Sequence, residues 1–174
     1  MRAVLGTMLF CLSISWVQAS ELSIVGGRAT PANLKLDPQS LDLADYSLFG
    51  VRFEKDFLFI LGFENSLLYG RNMLTPAGSE GNDGLYYNAS FVLNLSSASV
   101  APNLAVGIGL MYRFGNTFPK SGLSFSTNFG GGLKLRELLG PVGLRIDYRR
   151  VTFYGIQGTH VGTNEFSGGA VLAF

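Results

Sequence analysis

Leu144-Arg145-Ile146-Asp147-Tyr148-Arg149 alternates apolar and charged side chains without a break. Successive side chains of a strand point to opposite faces, so this stretch has one face fit for hydrocarbon and one that bears ions. A soluble sheet turns its ions to water. Here the chain runs on to Phe174 behind a further apolar row of Phe166, Ala170 and Leu172. Strands that are apolar outside and polar inside, closing on a terminal aromatic, fit a transmembrane β-barrel.

Composition points the same way. Charged residues make up 14% of the chain, against roughly 25% in soluble domains, and the 23 glycines are about twice the usual share. After the N-terminus no apolar run approaches the ~18 residues that a spanning helix needs. A bilayer tolerates only helices and closed barrels, because both satisfy every backbone polar group internally. One domain is expected in 174 residues.

Residues 1–19 read as an export signal, leaving 20–174 as the barrel domain. Arg2 supplies the positive end, Ala3 to Val17 the apolar stretch, and Val17-Gln18-Ala19 a small-residue cleavage site before Ser20. Cys11 leaves with the signal, so no disulfide or thiol chemistry is expected. Arg2 leaves too, and cations and carboxylates then balance. A neutral chain without basic runs argues against nucleic acid as a partner.

Eight antiparallel, up-and-down strands are expected. The first six lie near 22–29, 46–54, 57–69, 85–95, 104–114 and 123–136. Lys55-Asp56 reads as a tight turn, with Phe59, Leu61 and Phe63 outward on the third strand. Glu137 to Val142 reads as the turn into the seventh strand, and Gly155 to Asn164 as a loop before the eighth. Odd-numbered connections are mostly long and even-numbered ones shorter, the asymmetry of surface loops against periplasmic turns.

In this register the inner face collects Arg52, Glu54, Glu64, Arg113, Lys134, Arg136, Arg145, Asp147, Arg149 and Glu165. Eight strands leave an interior just wide enough for side chains to fill. These ions are therefore expected to pair and seal the lumen, with a narrow pore as the alternative. Alternation fails at Arg150, which the register would turn to lipid together with Thr152. A β-bulge at Arg149-Arg150, turning Arg150 inward and Val151 and Phe153 outward, is the expected repair.

Phe125 to Arg149, FSTNFGGGLKLRELLGPVGLRIDYR, resembles the late strands of the OmpA/OmpX-like outer-membrane β-barrel domain family. The shared pattern is Asn-x-Gly-Gly-Gly, a short turn, then Arg-x-Asp-Tyr-Arg. NLAVGIGLMYRFG, from Asn103, resembles that family's glycine-rich middle strand. The resemblance implies an integral outer-membrane protein of a Gram-negative bacterium and carries no shared activity. It implies outer-membrane lipid and lipopolysaccharide, periplasmic chaperones and the barrel-assembly machinery as partners of a monomer. Phe174 would be the terminal signal that the machinery reads.

Two other classes fit parts of this pattern. A lipid A-modifying enzyme would need a serine beside a base. His160 is the only histidine, with Ser167 and Glu165 as its possible companions. A soluble lipocalin-like barrel would turn the apolar face inward and show more Lys and Glu outside. No metal-ligand cluster, nucleotide motif or cofactor site is read. The expected role is structural or loop-mediated surface contact, without catalysis.

Overall fold

The computed structural model describes residues 20–36, 39–58, 60–78, 81–96, 99–115, 122–156 and 158–174. The expected export signal and Phe59 lie outside these residues. Ten strands run β1 Ser20–Pro31, β2 Leu34–Leu36, β3 Gln39–Leu41, β4 Tyr46–Leu58, β5 Leu61–Arg71, β6 Asp83–Asn94, β7 Val100–Phe114, β8 Gly122–Leu139, β9 Val142–Ile156 and β10 Thr159–Ala173. Eight of them, β1 and β4 to β10, close into an antiparallel barrel, while β2 and β3 pair as a separate ribbon.

Closure is staggered. Cross-strand partners followed from Glu21 lead through Glu54, Glu64, Ser90, Gly107, Asn128, Val151 and Thr163, and return to β1 at Pro31, its far end. Such a stagger tilts the strands and fixes a lumen narrow enough for side chains to fill. At the seam Ser20 and Phe174 exchange backbone hydrogen bonds, both of 2.9 Å. One end of the barrel thus holds the start of β1 and the end of β10; the other carries the longer connections.

Alternation sorts the two faces. Ile24 is 68% exposed and Phe129 63% exposed on the outer wall, among Val51, Phe91, Val106, Ile108, Leu144, Ile146 and Phe166. A continuous apolar wall of this extent is unstable in water and matches the hydrocarbon of a bilayer. Toward the loop end the wall turns aromatic. Tyr69 packs on Phe49 and Phe114 with ring centres 5.0 and 6.0 Å away, and Phe125 meets Tyr154 at 6.0 Å. Such aromatic rows mark the bilayer interface.

Four local expectations are corrected. Lys55 and Asp56 are not a turn: β4 continues to Leu58, which pairs with Leu61 at the start of β5. The reversal after β8 is at Gly140-Pro141, because Glu137 takes a left-handed φ of 57° inside an irregular strand end. Where a loop is expected from Gly155 to Asn164, β9 runs on to Ile156 and β10 begins at Thr159, which puts His160 inside β10.

The bulge at Arg149-Arg150 is absent. Pairing runs unbroken on both sides of β9 through this stretch, with Arg150 opposite Phe129 and Asn164. Arg150 therefore points outward, while Val151 and Phe153 are buried inside. Its Nη1 donates to Asn164 Oδ1 at 2.7 Å. A Cβ on Gly162 would collide with that guanidinium, so the missing side chain is what lets it lie flat on β10. Snorkelling along the wall replaces the bulge.

Candidate functional site

All ten inner charges read from sequence face the lumen, and eight of them join two stacked layers of ion pairs. The layer nearer the termini is built around Lys134, whose Nζ lies 2.8 Å from Glu21 and 2.7 Å from Glu54. Arg136 completes it, 2.7 Å from Glu21 and 3.8 Å from Asp56. Asn94 Nδ2 donates to Glu54 and Asp56. Two cations here face three carboxylates.

The next layer reverses that imbalance, with three cations around two carboxylates. Arg145 donates to both oxygens of Asp147, at 2.7 and 2.9 Å, and to Glu64 at 2.9 Å. Arg149 reaches Glu64 at 2.8 Å. Arg52 approaches Asp147 at 2.8 Å without hydrogen-bond alignment, and its Nη2 donates to Ser167. Ser23 accepts from Arg145. Each layer's surplus is opposite to the other's, so stacking them offsets both. Interlocked pairing of this kind is what makes burial of several full charges tolerable.

Glycines give the layers room. A Cβ on Gly132 would press on Asp147 Oδ1 at 2.7 Å. On β7, side chains at Gly107 and Gly109 would strike Ser90 and Asn88. Without them Ser90 donates to Asn128, and Asn128 and Ser126 both donate to Asn88, bridging β6 and β8 across the bare strand. That is the reason for the glycine-rich run on β7.

Above the ions the lumen becomes apolar. Val25, Ala29, Leu48, Leu68, Met111, Val151, Phe153, Ile156 and Val161 are buried there with Tyr46 and Tyr86. The connection after β5 drops Met73 and Leu74 into the same cluster. Tyr86 meets Phe153 edge-on at 5.9 Å and donates from its hydroxyl to Glu165 at 2.6 Å. Glu165 thus joins a tyrosine, not the ionic layers. Arg113 also stands apart: it is 4% exposed, and its Nε and Nη1 have no acceptor.

Sequence reading missed Glu21, Asp56 and the apolar plug. The expected first strand starts at residue 22 and leaves Glu21 out, whereas β1 begins at Ser20, and the turn read at Lys55-Asp56 takes Asp56 out of a strand. The plug was hidden by the assumption of a polar interior along the whole height.

The enzymatic grouping does not assemble. His160 is exposed on the outer wall, 6.2 Å from the Tyr154 ring, whereas Ser167 and Glu165 are buried on the inner face of the same strand. Beside His160, the next outward position of β10 is Gly162, which offers no nucleophile. Among the described residues no group of three or more His, Cys, Asp or Glu is arranged to hold a metal ion.

No protein-family model and no curated protein matches this chain. Solved structures do. Neisserial surface protein A is similar over 91% of this chain and 100% of its own, at 16% identity and a TM-score of 0.69. Ail, the attachment invasion locus protein of Yersinia pestis, is similar over 88% of this chain and 99% of its own, at 22% identity and 0.51. The outer membrane enzyme PagL covers 87% of this chain and 98% of its own, at 18% identity and 0.55. At such identities the likeness establishes the fold. The chain has the eight-stranded barrel architecture of outer-membrane proteins.

Proposed function

We propose that this protein is an integral outer-membrane barrel of a Gram-negative bacterium with a sealed lumen, acting through its loop end in surface contact. One observation carries the reading: the interior is filled by two layers of ion pairs under an apolar plug. Such packing among the described residues argues against a path for solute.

The loop end is organised for contact. Ala44 N donates to Thr75 O at 2.8 Å and Ala77 N to Asp42 O at 3.0 Å, which stitches the connection before β4 to the one after β5. Leu43 bridges Pro76, and Asn82 N donates to Thr75 Oγ1. Loops held this way lose less conformational freedom on binding. Two of the similar structures are a surface protein and an attachment protein by name. PagL shares the fold, but His160 lies on the opposite face of β10 from Ser167 and Glu165, which favours contact over catalysis. Lipopolysaccharide around the wall and the assembly machinery acting on Phe174 belong to the same proposal.

The test uses cysteine labelling on whole cells. A cysteine at Ala77 should react with a membrane-impermeant maleimide, while one at Pro141 should react only after the envelope is opened. Cells expressing the protein should adhere to a host-matrix surface more than vector controls, and labelling at Ala77 should remove that excess. Reaction at Pro141 on intact cells would contradict the orientation. Adhesion no greater than the vector control would contradict the contact role.

A further inference from the structure

Arg113 differs from the other inward cations. Arg52, Lys134, Arg136, Arg145 and Arg149 each lie within 2.9 Å of a carboxylate oxygen. Arg113 is 4% exposed, yet forms no ion pair among the described residues, and two of its guanidinium nitrogens have no acceptor. A buried cation without counter-charge is strongly disfavoured unless something supplies that charge. The connection that follows, Gly-Asn-Thr-Phe-Pro-Lys-Ser at 115–121, contains no carboxylate.

Position adds a second donor. Arg113 sits one residue before the end of β7, opposite Gly122 of β8. Ser124, the next inward residue of β8, is 3% exposed, and its hydroxyl has no partner. Gly122, opposite Arg113 and two residues before Ser124, has open space among the described residues where a side chain would stand. Met111, fully buried, lies directly below on the same strand and belongs to the apolar plug. An apolar floor strengthens any charge interaction above it.

We propose that Arg113 and Ser124 form an oxyanion site at the loop-end mouth of the barrel, for a phosphate or sulfate group, free or as an ester on a small sugar. The planar guanidinium fork matches the paired oxygens of such groups. The Ser124 hydroxyl adds a donor, and the space beside Gly122 admits the group. The site goes beyond the surface-contact reading and does not depend on it, because a barrel with no adhesive role would hold it equally.

The experiment measures heat unfolding of the membrane-purified protein in non-ionic detergent at constant ionic strength. Sodium phosphate, sodium sulfate or glucose 6-phosphate replaces chloride, and glucose is the control. At least one anion should raise the midpoint saturably. Half-saturation at lower concentration with glucose 6-phosphate than with phosphate assigns an ester; the reverse assigns the free ion. Ser124→Ala should raise the half-saturating concentration about tenfold, as loss of one charge-assisted hydrogen bond implies. Arg113→Met should abolish the saturable rise. Should that variant not fold, Arg113→Lys keeps the charge without the fork and should also weaken half-saturation about tenfold. No saturable rise with any of the anions, or an unchanged rise in the Arg113 variant that folds, overturns the proposal. Anions that merely strengthen burial by exclusion would raise every variant alike, without saturation.

Discussion

Arg145 and Arg150 lie five residues apart on one strand and show what two arginines need. Arg145 has three charged hydrogen bonds to two carboxylates and is almost wholly enclosed. Truncating it to alanine strands Glu64 and Asp147, so Arg145→Ala should cost ~3–5 kcal/mol in urea unfolding. A loss below about 1 kcal/mol would mean that water already reaches the layer. Arg150 instead lies on the outer wall against Gly162 and bonds to Asn164. Gly162→Val should displace it and lower stability by ~1–3 kcal/mol, as overpacking does. Adding Arg150→Ala to that variant should recover part of the loss, since the collision is then gone; strictly additive losses would reject the contact. The inward set was legible because period-two alternation needs only a correct register. Arg150 was not, because its accommodation depends on a glycine twelve residues away on the next strand. Nor could the sequence show that Val151 and Phe153 have an apolar plug to enter.

At the level of strands, the existence of all eight could be read, while several ends could not. Strong alternation identified β9 and β10, yet a charged pair at Lys55-Asp56 looked like a turn. Asp56 stays in the ladder because Arg136 and Asn94 receive its carboxylate inside the lumen, contacts that join distant parts of the chain. The bare wall of β7 gives a direct test. Gly107→Val should lose ~1–3 kcal/mol by pushing into Ser90, whereas Gly122→Ala, facing open space, should be near neutral. Equal effects would contradict the bridging role of β7. At the seam, Phe174 closes the barrel by pairing with Ser20 and leaves its ring exposed. Deleting Phe174 should lower the yield of folded protein in membranes more than replacing the β2–β3 ribbon with a Gly-Ser linker, as quantitative immunoblotting would show. The connection after β5 is a poorer comparison, because Met73 and Leu74 anchor it in the plug.

For the whole molecule, tilt, narrow girth and the filling of the lumen act together. Eight strands closed with this stagger leave little interior space, and the chain fills it with balanced ions nearer the termini and apolar side chains nearer the loops. Breaking one seal should leave the other in place, so neither Arg145→Ala nor a Met73→Gly, Leu74→Gly double variant should conduct alone. The most direct test of a sealed interior is single-channel recording of the purified monomer in a planar bilayer at 1 M KCl. The structure predicts a flat current at both polarities for the wild type, with insertion confirmed by protease protection. Regular unitary steps from inserted wild-type monomer would contradict it.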